Sequence, residues 1–164
     1  MTDLVTALRL ERVGDVVALL KDRGQTVAAA ESLTAGLFTA ALTTVPGSSA
    51  VVRGGLVVYA TDLKASLAGV PEELLAEHGA VHPDVALALA SGARDVCRAD
   101  WGVGLTGVAG PDPQDGVAPG RVYLGLAGPA GRRGYGLRLS GDRQAVRTEA
   151  VRAAIDALWD ALTG

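Results

Sequence analysis

RVYLGLAGPAGRRGYGLRLS, residues 121–140, is the stretch that decides the fold. It holds two β-rich runs, RVYLGLAGP (121–129) and RRGYGLRLS (132–140), joined by a short Pro-Ala-Gly turn. Runs that close together read as an antiparallel hairpin. Toward the N-terminus the pattern changes. WGVGLTGVAGP (101–111) reads as a strand entering a glycine-rich turn, followed by the loop PDPQDGVAPG (111–120). HPDVALALASGARDVCRA (82–99) reads as a helix with proline at its start and Val85, Leu89, Ala93, Val96 and Cys97 on one face. PEELLAEHG (71–79) carries the same proline start and a glycine stop, and TDLKASLAG (61–69) is a short helix or turn. RGGLVVYA (53–60) and TVAAAES (26–32) read as strands, the second of them buried. A helix over about 34–44 separates these two strands and is broken by VPGSS (45–49). Residues 4–20 place Leu4, Val5, Leu8, Val13, Val16, Val17 and Leu20 at helical spacing, with Asp3 helping to cap the start and Gly24 as the stop. Beyond the hairpin, GDRQAVRTEAVRAAIDALWDAL (141–162) is a long amphipathic helix. Strands with helical crossovers, then a hairpin, predict one α/β domain over residues 1–164. Its expected form is a three-layer α/β/α sandwich with a mixed, mostly parallel five-stranded sheet and a C-terminal antiparallel hairpin.

Composition narrows the function classes. A chain of 164 residues is about one domain, and 49% hydrophobic content supports a sizeable core. The net charge of −3 argues against a nucleic-acid partner, which a basic face would signal. No apolar run approaches the ~20 residues of a membrane span, so no membrane partner is expected. The opening MTDLVTALRLERVGD lacks a signal-peptide core, and the single cysteine, Cys97, forms neither an intrachain disulfide nor a multi-cysteine metal site. A cytoplasmic location is the expectation. The apolar surplus makes a homo-oligomer the expected assembly.

Of the 15 basic residues only Lys21 and Lys64 are lysines; the other 13 are arginines. In a chain so biased, a surviving lysine is a candidate for chemistry that arginine cannot supply, because only lysine loses its proton near neutral pH. Lys21 stands near the end of the first predicted helix, where a cation suits the dipole.

In an open α/β sheet, ligands bind beyond the C-terminal ends of the parallel strands. Three polar strand ends fall there: Glu31-Ser32-Leu33-Thr34-Ala35-Gly36, Tyr59-Ala60-Thr61-Asp62-Leu63-Lys64 and Thr106-Gly107-Val108-Ala109-Gly110-Pro111. Ser32 stands where a strand turns into a helix. It reads as a helix N-cap, as a nucleophile beside free N–H groups, or as both. Lys64 reads as a solvated surface lysine or as a desolvated general base to a serine, with Tyr59 relaying a proton or holding geometry. The 106–110 turn resembles an anion-cradling nest or is a simple bend. Arg143 and Arg147, at i and i+4, read as a phosphate clamp or as solvated charges. His78 and His82 flank a helix junction with no clustered cysteines or carboxylates around them, so no metal site is expected. Cys97 reads as a buried structural thiol.

Taken together, AAESLTAG (29–36), VPGSSAVVRGGLVVYATDLK (45–64), GVPEELLAEHGAVHPDVALALASGAR (69–94), GLTGVAGP (104–111), GRVYLGLAGP (120–129) and SGDRQAVRTEAV (140–151) resemble the CinA C-terminal domain family. That family includes stand-alone nicotinamide-nucleotide amidohydrolases. The resemblance spans about residues 5–162. It implies hydrolysis of the carboxamide of nicotinamide mononucleotide to nicotinic acid mononucleotide and ammonia, in pyridine nucleotide salvage, with no metal and no cofactor. The family's nucleophilic serine falls on Ser32, and its tyrosine and lysine fall on Tyr59 and Lys64. Its substrate-binding motifs fall on Thr34, Ala35 and Gly36, on Thr106, Gly107, Ala109 and Gly110, and on Gly141 to Arg143, with Arg147 one turn beyond. Three segments depart from the family pattern: Ala35 stands for a glycine, Thr61-Asp62 lacks the usual asparagine, and Asp112-Pro113-Gln114-Asp115-Gly116 replaces a glycine-rich loop. A non-catalytic nucleotide- or partner-binding module is the alternative expectation.

Overall fold

The computed structural model describes residues 4–164; the capping role expected of Asp3 lies outside them. In chain order the elements are α1 (Leu4–Leu8), α2 (Val13–Asp22), β1 (Val27–Glu31), α3 (Leu37–Thr43), β2 (Val52–Val57), α4 (Thr61–Ser66), α5 (Glu72–His78), α6 (Pro83–Cys97), β3 (Trp101–Gly107), β4 (Arg121–Gly128), β5 (Gly131–Arg138) and α7 (Arg143–Thr163). A 3-10 turn at Ser48–Ala50 precedes β2. The strands form one sheet in the order β2-β1-β3-β4-β5. β1 pairs in parallel with both β2 and β3, and the β4–β5 hairpin closes the sheet antiparallel, so four of the five strands share a direction. The expected three-layer sandwich with its mixed sheet is therefore the observed one.

Two apolar clusters lie on opposite faces of the sheet. The larger packs α2, α3 and α7 around Phe38, Leu105, Leu124, Ile155 and Leu158. The smaller joins α6 to β1 through Ala28, Ala30, Val85, Leu89 and Ala93. β1 reads VAAAE and is buried throughout, because a central strand covered on both faces has room only for small side chains where helices approach closely. The α6 face is closer still. Gly104 and Gly125 are cross-strand partners, and a Cβ on either would collide with the carbonyl oxygen of Ala86.

Some element boundaries differ from expectation. The helix predicted over 4–20 is two helices. α1 ends at a Schellman-type cap, with Arg9 at φ 53°, its N–H donating to Thr6 and the Leu10 N–H donating to the Val5 carbonyl. The driving force is burial: Leu10 turns into the core and is 2% exposed. α6 ends the same way at Arg98, φ 51°. The cap rule looks for glycine at that position, so two arginines hid both ends. The helix predicted from residue 34 begins only at Leu37, after a turn at 33–36. Val96, placed on the apolar face of α6, is instead exposed, and Cys97 is only half-buried. Burial pushes its thiol up, against the pull of the Arg53 guanidinium.

Candidate active site

The C-terminal ends of β1, β2 and β3 meet at one end of the sheet, as the parallel pairing requires. There they form a cleft of about 400 Å³, lined by Ser32, Leu33, Tyr59, residues 107–114 and Arg143. This lies within the range of small-molecule sites. A larger cleft of about 480 Å³ lies between the α1–α2 break and α7. It contains no nucleophile, and two of its arginines are already engaged. Arg12 pairs with Asp156 and lies over Trp159, while Arg152 donates to the Leu8 carbonyl and to Glu149.

Lys64 lies buried directly behind Ser32, which lines the smaller cleft. It comes from α4, is 1% exposed, and donates from Nζ to Ser32 Oγ at 3.0 Å, to the Val58 carbonyl at 2.8 Å and to the Tyr59 carbonyl at 3.4 Å. Three donors meet three acceptors, so the ammonium is satisfied although buried. Desolvation still disfavours its charge and pulls the amine from 10.5 down to about 8. At pH 7 roughly one molecule in ten then carries a neutral amine, against roughly one in three thousand for an unperturbed lysine. With the two carbonyls holding two N–H groups, the lone pair of the neutral form is left to face Ser32.

Ser32 does not cap a helix. It is 8% exposed, its N–H donates to the Leu105 carbonyl at 3.0 Å, and its own carbonyl accepts from Ala35 N–H. The cap is Glu31, which sequence reasoning passed over. Its carboxylate is buried and accepts from Gly36 N–H (3.1 Å), Phe38 N–H (3.0 Å), Thr39 N–H (2.9 Å) and Thr39 Oγ1 (2.8 Å). Gly55 on the neighbouring β2 leaves room for this arrangement, since a Cβ there would stand 2.5 Å from Thr39 Oγ1. A signal was present: a glutamate ending the apolar strand VAAAE must be buried, and a buried carboxylate needs donors.

The structure divides the other expected site residues. Gly107, Ala109 and Gly110 line the cleft. Arg143 does too, donating from Nη1 to the Gly110 carbonyl and from Nη2 to the Tyr59 hydroxyl, each at 2.8 Å. Tyr59 is 58% exposed, and its phenol does not bridge Ser32 and Lys64; only its main-chain carbonyl touches the lysine. Arg147 faces elsewhere. It donates to the carbonyls of Leu33 (2.9 Å) and Thr34 (3.4 Å), fastening the turn after Ser32 to α7 rather than clamping a phosphate. Thr106 is buried, with Oγ1 donating to the Ala80 carbonyl. Thr34 is buried as well, its hydroxyl without a hydrogen-bond partner among the described residues. Ala35 and Gly36 lie outside the cleft lining, at φ 49° and 95°. Their left-handed backbone turns the chain into α3.

His78 and His82 do have a carboxylate beside them, Asp84. The two rings are stacked 4.0 Å apart and nearly parallel, so their in-plane lone pairs do not converge on one ion, and His82 Nδ1 already accepts from Asp84 N–H.

Residues 10–162 match the model of the CinA C-terminal domain. The chain belongs to the CinA C-terminal domain family. This CinA domain is 49% identical to a CinA-like protein of Frankia casuarinae over 151 residues, 92% of this chain and 35% of that protein. It is 50% identical to a putative competence-damage inducible protein of Geobacillus kaustophilus over 130 residues, 78% of this chain and 31% of that one. The CinA domain thus spans about a third of the length of the curated relatives it matches. Among solved structures, the competence/damage inducible protein CihA of Agrobacterium tumefaciens superposes with a TM-score of 0.90 at 35% identity, covering 96% of both chains. A CinA superfamily protein of Klebsiella pneumoniae superposes at 0.89 and 31% identity, covering 93% of this chain and 96% of that one. No described helix is long and apolar enough to cross a membrane.

Proposed function

We propose that the chain is an amidohydrolase that converts nicotinamide mononucleotide to nicotinic acid mononucleotide and ammonia, a step of pyridine nucleotide salvage. The observation that carries the chemistry is the 3.0 Å contact between Ser32 Oγ and a buried Lys64 Nζ at the floor of the cleft. The identity of the amide rests on the likeness to the amidohydrolases of the CinA family.

The neutral amine of Lys64 takes the Ser32 proton as Oγ attacks the carboxamide carbon. The tetrahedral oxyanion needs donors. The main-chain N–H groups of Leu33, the residue after the nucleophile, and of Ala109 and Gly110 belong to residues that line this cleft and donate to no other group among the described residues, so they are the candidate donors. Glu31 occupies the α3 N–H groups and Arg147 holds the turn, so these donors are fixed before substrate arrives. Protonated Lys64 returns its proton to the leaving nitrogen, which departs as ammonia and leaves an acyl ester on Ser32. Lys64 then deprotonates a water that attacks the ester carbon, and passes that proton to Ser32 Oγ as the acyl C–Oγ bond breaks, releasing the acid. Arg143 ties Tyr59 to the 107–110 turn and so sets the width of the entrance.

Purified protein incubated with nicotinamide mononucleotide should release ammonia and nicotinic acid mononucleotide together, and Ser32→Ala should not. Wild-type release no greater than that of Ser32→Ala overturns the reading. Tight nucleotide binding without release would point to a binding module instead.

A further inference from the structure

Two charged side chains line the cleft, Asp112 and Arg143, and they differ in how they are held. Arg143 is engaged by Gly110 and Tyr59, with three of a guanidinium's five N–H groups left over. Asp112 has no hydrogen bond and no ion pair among the described residues, and no ion pair joins the two. The cleft therefore presents a separated anion and cation rather than a neutralised pair.

The loop that carries Asp112 is built to hold it. Pro111 and Pro113 fix φ on either side. Gln114 and Val117 then exchange two backbone hydrogen bonds, at 3.1 and 2.8 Å. They close a turn through Asp115 and Gly116, both at positive φ (49° and 75°), the pattern of a type I′ turn. An exposed carboxylate without a partner, carried on backbone held in this way at a cleft containing a buried serine–lysine pair, is placed to meet a ligand and has no folding role of its own.

Resting on the amidohydrolase reading above, we propose that Asp112 is a specificity-determining residue. Its carboxylate recognises the positive charge of the substrate's pyridinium ring, so the site selects N-substituted pyridinium carboxamides over uncharged carboxamides of the same shape. The phosphate of the same nucleotide carries the opposite charge, and Asp112 repels it. The two effects can be separated by changing the ring alone. Because Asp112 is exposed to solvent, the expected contribution is about fivefold in affinity, the upper range for an exposed ion pair.

The test measures dissociation constants in a Ser32→Ala background, where turnover is blocked. The probes are nicotinamide mononucleotide and its reduced dihydropyridine form, which keeps the phosphate, ribose and carboxamide but has a neutral ring. Asp112→Asn should weaken the oxidised form about fivefold and leave the reduced form unchanged or slightly tighter. An equal change in both forms, or tighter binding of both, overturns the proposal and assigns Asp112 to phosphate repulsion or to no recognition. If neither form binds and the wild type releases no ammonia, the amidohydrolase reading falls and the proposal with it. If ammonia is released while Asp112→Asn leaves the discrimination between forms intact, only the proposal falls.

Discussion

The floor and the rim of the cleft are built on opposite principles. On the floor, Lys64 and Glu31 are buried and committed, Lys64 to Ser32 and two carbonyls and Glu31 to four donors, while the half-buried Arg147 fastens the turn behind them through two carbonyls. On the rim, Tyr59 and residues 111–116 are exposed, and Asp112 is uncommitted. Buried commitment fixes distances to a few tenths of an ångström, which bond-making needs, and burial is also what tunes the lysine. Exposed groups contribute little energy each but meet the ligand first. Substitutions on the floor should therefore cost orders of magnitude, and those on the rim small factors.

The largest effect is expected at Lys64. Lys64→Arg keeps the charge and removes the ability to lose it, so kcat/KM should fall about a thousandfold, the scale of a general base. Circular dichroism should show a folded protein. Activity within tenfold of wild type would remove the lysine from the chemistry. In the wild type, kcat/KM should rise about tenfold per pH unit below 8 and level off above it, since only the neutral amine accepts the serine proton.

The same burial should be visible in stability. The folded lysine titrates near 8 and the unfolded one near 10.5, so between these values the unfolded chain binds more protons. Unfolding free energy should accordingly rise with pH across that window, with Lys64 contributing about 3 kcal/mol, and the contribution should vanish below pH 8 as a slope while persisting as a cost. Urea titrations of wild type and Lys64→Met across pH 7.5–10.5 check this. Equal slopes in both proteins would mean that the floor is wetter than its geometry says.

Glu31 ranks next. Glu31→Gln keeps the shape but turns an acceptor of four hydrogen bonds into a group whose NH₂ faces donors. A loss of about 2 kcal/mol in urea unfolding is expected, with kcat falling about tenfold as the Ser32 turn loosens. A stability loss with unchanged kcat would uncouple the α3 cap from the nucleophile.

The contrast between floor and rim also explains what the sequence reveals. Alternating strands and helices ending in a hairpin declare the layers and the strand directions, because periodicity and turn residues are local properties. Lys64 stands out by scarcity, and Ser32 by its place at a strand end. Which arginine does what is not local. Arg143 and Arg147 share a helix face, yet one reaches Gly110 and Tyr59 and the other reaches Leu33 and Thr34, because the partners come from three different strand ends. Glu31 is easily passed over for a related reason. A capping side chain is sought next to the helix it caps, and this one acts from the end of the preceding strand, across a four-residue turn.

The smallest effect expected concerns that turn, at the border of floor and rim. Ala35 is exposed and holds φ 49°, where a Cβ costs on the order of 1 kcal/mol that glycine avoids. Its side chain takes no part in the Ser32–Lys64 contact, and the strain is borne because Arg147 and Glu31 fasten the turn on both sides. Ala35→Gly should therefore stabilise the protein by a net of about 0.5 kcal/mol and raise Tm by roughly 1–2 °C in a chain of this length. The gain is set against the greater freedom glycine brings to the unfolded chain, which keeps it small. A Tm that falls instead would mean that the alanine methyl makes a contact worth more than the strain, and that the turn belongs energetically to the floor rather than to the border.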